Sequence, residues 1–173
     1  MTLDDLFALG CRVGDQLAAR GETVAVAESS AGGLLSAALL ARAGASAYYY
    51  GGAVLYTRRS RRLLTTLTSD DVADLRSSTV PYAERLARHQ RERFRTTWGL
   101  AETGAAGPQG NPYGDPAGHT ALAVDGLVAL QRVLRTGSAD RTANMLAFAA
   151  AALTLLEEAL AAAPRTPQLP PRP

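Results

Sequence analysis

The segment TVAVAESSAGGLL occupies residues 23–35 and joins a short apolar run to a helical pattern. Residues 23–27 are small or β-branched, which predicts a short buried strand. Leu34 to Ala43 is apolar and predicts a helix that is closed by Gly44. The turn Glu28–Gly33 lies between this strand and this helix, and it carries two hydroxyl side chains and two glycines. We expect this turn to form one wall of a small-molecule site, because ligands collect where strands run into helices.

Helical and extended segments alternate along the rest of the chain. Residues 47–56 and 99–102 are rich in strand-forming residues, and residues 140–162 form an alanine- and leucine-rich helical pattern. This alternation predicts an α/β domain over residues 1–163, folded as a three-layer α/β/α sandwich. Residues 164–173 (PRTPQLPPRP) contain five prolines and predict a flexible, extended tail.

Composition excludes several classes of protein. The 173 residues are 47% hydrophobic and 20% charged, which is typical of one folded domain. The chain has no basic start followed by an apolar run and no uninterrupted apolar stretch of about 20 residues, so we expect a cytoplasmic protein that does not contact a membrane. A net charge of +2 does not favour nucleic acid as a partner.

Cysteine and lysine usage limits the chemistry further. Cys11 is the only cysteine, so the chain can form no disulfide within itself and no multi-cysteine metal cluster. No His, Cys or carboxylate spacing predicts a metal site, and we expect no cofactor. All 18 basic residues are arginine, which excludes a lysine Schiff base and a lysine general base.

Two glycine-containing turns are the strongest candidates for a site. In the first, Ser29 or Ser30 could supply a nucleophile, although a serine at this position could equally be a simple helix cap. The second, Gly104 to Gly107, follows another predicted strand and could cradle an anion with its backbone N–H groups. Taken alone, the second segment is better explained as an ordinary turn. Two such turns after two strands favour a shared site.

Three further features could contribute to that site. Tyr56 ends a predicted strand and is followed by four arginines within residues 58–62. This segment could bind a phosphate or carboxylate, or it could be a solvated helix face. His119 lies near the second glycine turn and could be a base or a structural residue.

Several separated motifs, in this order, resemble the C-terminal domain of the CinA family, the nicotinamide mononucleotide deamidases. They are AESSAGGLLSAAL (27–39), YYGGAVLY (49–56), TGAAGP (103–108), PAG (116–118) and DR (140–141). The resemblance runs from Leu6 to about Leu160 and includes Pro81 with the helix after it. It implies the CinA C-terminal domain fold in its stand-alone form and a homodimer or larger homo-oligomer.

The resemblance also implies an activity, the hydrolysis of nicotinamide mononucleotide to nicotinate mononucleotide and ammonia. By this similarity Ser29 corresponds to the catalytic serine and Tyr56 to the catalytic tyrosine, and Arg61 occupies the position of a catalytic lysine. The residues expected to bind the nucleotide substrate are Ser30, Ala31, Gly32, Gly33, Gly104, Ala105, Gly107, His119 and Arg141.

Four positions depart from the family pattern. Arg61 replaces lysine, Ala31 and His119 replace threonines, and Met145 stands near the position of an arginine. Arginine stays protonated and is a poor base, so these departures predict reduced or altered amidohydrolase activity. The alternative is a catalytically degenerate domain that binds a nucleotide or a protein partner.

Overall fold

A computed structural model describes residues 1–164 of the chain. The predicted proline-rich tail, residues 164–173, lies outside the described residues except for Pro164. The helices are α1 (Leu3–Arg20), α2 (Leu34–Leu40), α3 (Arg58–Leu64), α4 (Val80–Phe94) and α5 (Arg141–Ala162). The strands are β1 (Val24–Glu28), β2 (Tyr49–Val54), β3 (Trp98–Ala105), β4 (His119–Asp125) and β5 (Leu130–Arg135). Single 3₁₀ turns lie at Ala45–Ala47 and Asp70–Val72.

The five strands form one mixed sheet in the order β2-β1-β3-β4-β5. β1 is parallel to both β2 and β3, whereas β3, β4 and β5 are antiparallel to their neighbours. The register pairs Ala27 with Ala101 and Glu28 with Val54. As a result, the carboxyl ends of β1, β2 and β3 meet at one edge of the sheet.

Helices cover both faces of this sheet, which confirms the predicted three-layer α/β/α sandwich. One face packs on α1, α2 and α5 through large side chains such as Val26, Leu100 and Leu122. The other face packs on α4 through small side chains such as Ala101 and Ala121. This division follows from the period-2 alternation of strand side chains.

The small residues let α4 lie very close to the sheet. A Cβ built on Gly99 would stand 1.9 Å from the backbone carbonyl oxygen of Ala87 in α4, so only glycine fits there. α4 begins with Pro81 in its first turn, as the sequence predicted.

The last helix, α5, is long and apolar enough to cross a membrane by length and composition alone. In the fold, half of its most apolar 18-residue window is buried, and Phe148, Leu153 and Leu156 belong to the core beside α1 and the sheet. This burial is typical of the central helix of a folded domain. Its first residue, Arg141, is brought to the edge of the sheet where β1 and β3 end.

Candidate active site

A cavity of about 480 Å³ opens at the edge where β1, β2 and β3 end. Ser29 and Ser30 line it from the turn after β1, and Tyr56 lines it from the segment after β2. The loop that begins at Gly104 also lines it, as does Arg141 of α5. The structure therefore brings together four segments that are far apart in the sequence.

The turn that carries Ser29 is held from below by Glu102 of β3. The Glu102 carboxylate accepts hydrogen bonds from the backbone N–H of Ser29 (3.0 Å) and of Ala31 (2.9 Å). It also accepts hydrogen bonds from the hydroxyls of Ser30 and Thr120, the latter at 2.9 Å. Glu102 is fully buried, and this burial raises the pKa of its carboxyl group. The four hydrogen bonds lower the pKa, but the effect of burial is larger.

A second buried carboxylate, Glu28, holds the other end of the same turn. It accepts hydrogen bonds from the backbone N–H of Gly33 (2.8 Å), Leu35 (3.1 Å) and Ser36 (3.1 Å). The Ser36 hydroxyl donates a further bond of 2.6 Å. Glu28 therefore satisfies the donors that begin α2.

These bonds occupy the backbone N–H groups at the start of α2. The two glutamates accept hydrogen bonds from the N–H groups of Ala31, Gly33, Leu35 and Ser36, so these donors are not left for a ligand. Within the turn, Ala31 is fully buried, and Ala31, Gly32 and Gly33 do not line the cavity. The predicted substrate contacts at these three positions are thus not brought to the cavity.

The Ser29 hydroxyl differs from that of Ser30. Ser30 Oγ is buried and bonded to Glu102. Ser29 is half-buried on the cavity wall, and its hydroxyl makes no hydrogen bond within residues 1–164. Of the two, Ser29 is the hydroxyl available to react with a ligand. The capping interpretation applies to neither serine, because the N-cap residue of α2 is Gly33, which has no side chain to cap the helix.

Tyr56 and Arg141 meet across the mouth of the cavity. The Nη2 atom of Arg141 donates a hydrogen bond of 3.0 Å to the Tyr56 hydroxyl oxygen, and its guanidinium lies 5.9 Å from the centre of the tyrosine ring. The Nη1 atom donates a bond of 2.6 Å to the carbonyl oxygen of Gly107. Arg141 therefore fixes the tyrosine and the glycine loop relative to each other.

The loop after β3 is held to α5 through two of its carbonyl oxygens. Asn144 donates a hydrogen bond to the carbonyl oxygen of Ala106 (2.7 Å), and Arg141 donates one to that of Gly107 (2.6 Å). The backbone N–H groups of Ala106 and Gly107 make no hydrogen bond among the described residues. Gly107 has a φ of +112° and precedes a cis peptide bond to Pro108. Gly104 and Ala105 also line the cavity.

Two predicted site residues lie elsewhere. His119 is buried at the start of β4, where Nε2 is 2.8 Å from the carbonyl oxygen of Ser78, and it does not line the cavity. Arg61 is buried on α3 and lines a smaller, adjoining pocket. Ser29 and Tyr56 line the main cavity, whereas Arg61 lines the adjoining pocket, which shares Arg58, Tyr82 and Tyr113 with it.

The sequence did not single out two residues that shape the cavity, Glu102 and Tyr113. Glu102 holds the turn through its hydrogen bonds. Tyr113 lines the wall beside Tyr82 and Arg58, and Arg58 belongs to the arginine-rich segment identified from the sequence. Arg58 donates a hydrogen bond of 3.3 Å to the Tyr113 hydroxyl, and this bond lowers the pKa of that phenol. The alternation of strand residues could have found Glu102, since it places this acid on the same face as Trp98 and Leu100. No signal in the sequence joins Arg58 to Tyr113.

No three His, Cys, Asp or Glu side chains of residues 1–164 converge on a point that could hold a metal ion. The polar groups of the residues that line the cavity are hydroxyls, guanidinium groups, the side-chain amides of Gln109 and Asn111, and backbone groups. These groups suit nucleophilic attack and the binding of an anion or oxyanion.

Comparison with known sequences gives relatives of one kind. The chain is 40% identical over 148 residues to a CinA-like protein of Anaeromyxobacter sp. (strain Fw109-5), covering 84% of this chain and 35% of that protein. It is 37% identical over 111 residues to a CinA-like protein of Nostoc sp., covering 64% of this chain and 26% of that protein. The chain thus spans about a third or less of the length of these relatives.

Solved structures of similar fold come from the same superfamily. The competence/damage-inducible protein CihA of Agrobacterium tumefaciens matches with a TM-score of 0.81 and 30% identity, covering 89% of this chain and 94% of that one. A competence-damaged protein (CinA) superfamily protein of Klebsiella pneumoniae matches with a TM-score of 0.82 and 27% identity, covering 90% and 98%. The family model for the CinA C-terminal domain matches residues 7–160. With this sequence match and this fold, the chain belongs to the CinA C-terminal domain family.

Proposed function

We propose that the protein is an amidohydrolase that acts on the carboxamide of nicotinamide mononucleotide or a close relative. The observation that carries this proposal is the hydroxyl of Ser29, which lines the cavity without any hydrogen bond to residues 1–164. The neighbouring Ser30 hydroxyl is buried and already bonded. A hydroxyl that the fold holds in place but leaves unpaired is suited to attack a bound carbonyl carbon.

Tyr56 is suited to move the proton that this attack releases. In the proposed step, Ser29 Oγ bonds to the carboxamide carbon while its proton passes to the Tyr56 oxygen. The phenol proton passes to the departing nitrogen, which leaves as ammonia, and the phenol is restored. Water then attacks the resulting ester, with Tyr56 taking a proton from the water and giving its own proton to Ser29 Oγ. The bond between Ser29 Oγ and the carbonyl carbon breaks, which releases the carboxylate product and regenerates Ser29. Arg141 supports this role because its hydrogen bond orients the Tyr56 hydroxyl.

Backbone N–H groups of the two segments that line the cavity are suited to stabilise the oxyanion. The N–H groups of Ser30, Ala106 and Gly107 donate no hydrogen bond among the described residues, and all three residues line the cavity. Donors that are fixed before the reaction stabilise developing negative charge without reorganising. The anchoring of Ala106 and Gly107 by α5 favours such a fixed arrangement.

The size and charge of the cavity support a nucleotide substrate. A volume of about 480 Å³ falls within the range of small-molecule sites. The guanidinium groups of Arg58 and Arg141 both line it, and such groups bind phosphate through paired N–H donors. We assign Arg61 to the adjoining pocket and not to the proton route, since it does not line the cavity.

The test is the release of ammonia and nicotinate mononucleotide from nicotinamide mononucleotide. We expect release by the native protein, none by Ser29→Ala, and native rates for Ser46→Ala, because Ser46 is exposed and does not line the cavity. Circular dichroism would check that all three proteins are folded. A folded native protein that releases no more ammonia than Ser29→Ala would overturn the proposal.

A second candidate function is nucleotide binding without turnover. It is favoured by the position of Arg61, which is neither a base nor part of the cavity wall. In that case the native protein would bind nicotinamide mononucleotide in calorimetry and release no ammonia over hours. Measurable turnover that depends on Ser29 would exclude this candidate.

A cytoplasmic homodimer is also part of the proposal. Tyr50 and Val54 of the edge strand β2 are exposed and could form part of an interface between two copies. Sedimentation of the native protein would test this, and we expect Tyr50→Arg to shift the distribution towards the monomer.

A further inference from the structure

The smaller pocket that adjoins the main cavity, which we call the side pocket, contains a buried arginine whose charge is not paired. Arg61 is 6% exposed on α3, and its Nε atom is buried without a hydrogen-bond partner. Its Nη1 atom donates a single long bond of 3.4 Å to the carbonyl oxygen of Thr68. Within residues 1–164, no carboxylate forms a salt bridge with it.

A guanidinium group cannot remove this charge by losing its proton, because arginine is not deprotonated in proteins. A buried charge without a partner strongly disfavours folding, so native structures supply such a group with an anion or with a full set of acceptors. The side pocket has a volume of about 270 Å³, and Arg61 lies on its wall. The space is thus available for an anion that this arginine could bind.

The other charged groups of the side pocket leave a net positive charge. Arg76 also lines it but is already paired with Asp115 at 2.6 Å and 3.1 Å. Arg58 lines it and is bonded only to the neutral Tyr113 hydroxyl, at 3.3 Å. Two guanidinium groups, those of Arg58 and Arg61, therefore face the pocket without a carboxylate.

The acids near the side pocket do not cancel this charge. Asp70, Asp71 and Asp74 lie in the segment that lines the pocket, but none of them lines it or forms a salt bridge with Arg61. The Asp71 carboxylate accepts hydrogen bonds from Thr68 and pairs with Arg85 at 2.8 Å. Both of its oxygens are thus engaged away from Arg61.

We propose that the side pocket is a binding site for a phosphate group, held by Arg61 and Arg58. A phosphate has enough oxygens to accept bonds from both guanidinium groups and from the hydroxyls of Ser69 and Ser77, which line the same pocket. Arginine binds such oxygens in pairs with planar geometry. The anion compensates the buried charge that the fold itself leaves unpaired.

Two sources could supply this phosphate. The side pocket and the main cavity share Arg58, Tyr82 and Tyr113, so the phosphate could belong to a nucleotide whose other end lies at Ser29. It could also be a separate phosphate ion or ester that binds beside the substrate. The assignment to the phosphate of a nucleotide substrate rests on the proposed function. The phosphate site itself does not depend on that function.

Inorganic phosphate is the probe that tests the site. Calorimetry and thermal unfolding at constant ionic strength would compare the native protein with Arg61→Met and with Arg62→Met, since Arg62 is the next residue on α3 and is exposed. We expect saturable binding to the native protein and to Arg62→Met, and a Kd at least tenfold weaker for Arg61→Met. We expect Arg61→Met without phosphate to unfold at the native temperature or above, because it removes an unpaired buried charge.

Equal phosphate affinity in all three proteins, or no saturable binding to the native protein, would overturn the proposal. If Arg61→Met does not fold, Arg58→Gln takes its place, because Arg58 is exposed and is the second expected ligand. Native affinity in that variant would also count against the site.

Competition identifies the source of the phosphate. Displacement of phosphate by nicotinamide mononucleotide, but not by nicotinamide riboside, would assign the site to the phosphate of the substrate. Phosphate that stays bound with the mononucleotide present would identify a separate ligand. A loss of phosphate binding in Arg61→Met stands whether or not the protein releases ammonia, so failure of the proposed amidohydrolase activity is distinguishable from failure of the site.

Discussion

The hydroxyl of Ser30 donates a hydrogen bond to the carboxylate of Glu102, 72 residues away in the sequence. The same carboxylate binds the N–H groups on either side, those of Ser29 and Ala31. One buried acid thus fixes the backbone of the turn through three consecutive residues. Of the two serine hydroxyls, only that of Ser29 lines the cavity without a hydrogen bond.

The two serines should therefore separate stability from chemistry. We expect Ser30→Ala to lower the free energy of unfolding by about 2 kcal/mol, since it removes a buried hydrogen bond to a carboxylate. We expect Ser29→Ala to change it by less than about 0.5 kcal/mol and to abolish ammonia release. Urea unfolding and the ammonia assay on both variants check this, and a large loss of stability in Ser29→Ala would contradict it.

Glu102 predicts a specific dependence of stability on pH. Burial raises the pKa of its carboxyl above the ordinary value near 4.5, so above that pH the folded protein keeps a proton that the unfolded chain has lost. The contribution of Glu102 to the free energy of unfolding is fully present below pH 4.5 and falls as the pH rises towards the folded pKa. Its slope reaches at most about 1.4 kcal/mol per pH unit.

Glu102→Gln isolates this contribution, because glutamine does not titrate and all other groups are unchanged. We expect the stability advantage of the native protein over Glu102→Gln to be largest near pH 4 and to shrink as the pH rises. Urea unfolding of both proteins from pH 4 to pH 8 measures it. An advantage that grows with pH would show that hydrogen bonding outweighs burial at this carboxyl.

Much of the fold followed from the sequence because its signals are local. The strand at residues 23–27, the turn with Gly32 and Gly33, and Pro81 at the start of α4 depend on neighbouring residues and are found where they were predicted. The period-2 pattern of the strands also fixes which residues face which helix layer. These signals are sufficient for the three-layer arrangement.

The site could be predicted only in part because its contacts are not local. The sequence placed Ser29, Tyr56 and the Gly104 loop at strand ends, and parallel β1, β2 and β3 bring these ends together. It did not show that Glu28 and Glu102 use the N–H groups of the turn. It also could not give the direction of side chains on the short helix α3.

Arg58 should control the acidity of Tyr113. Its hydrogen bond is the main cause of the lowered pKa of that phenol, so Arg58→Gln is expected to raise the Tyr113 pKa towards its ordinary value. Titration of proteins labelled with ¹³C at tyrosine Cζ measures this, with Tyr113→Phe used to assign the signal. Arg59→Gln is the control, because Arg59 is exposed and adjacent. The same Tyr113 pKa in all three titrations would rule out this contact.

Arg141 and Tyr56 should act as a unit. Tyr56→Phe removes the hydroxyl that is proposed to transfer the proton, and we expect ammonia release to fall by about 10²- to 10⁴-fold. Arg141→Met removes the bond that orients the same hydroxyl and the anchor of Gly107, and it should also lower the rate. Tyr50→Phe, an exposed tyrosine on β2, is the matched control and should retain the native rate.

The double variant decides whether the two side chains are coupled. If Arg141 acts by orienting the Tyr56 hydroxyl, then Arg141→Met should slow the Tyr56→Phe enzyme much less than it slows the native enzyme. Any remaining effect would report the separate contact between Arg141 and Gly107, which persists when the phenol is lost. Rates measured at saturating substrate for all four proteins give this comparison. If the fold reduction in rate of the double variant equals the product of the two single reductions, Arg141 contributes only through the glycine loop or the substrate.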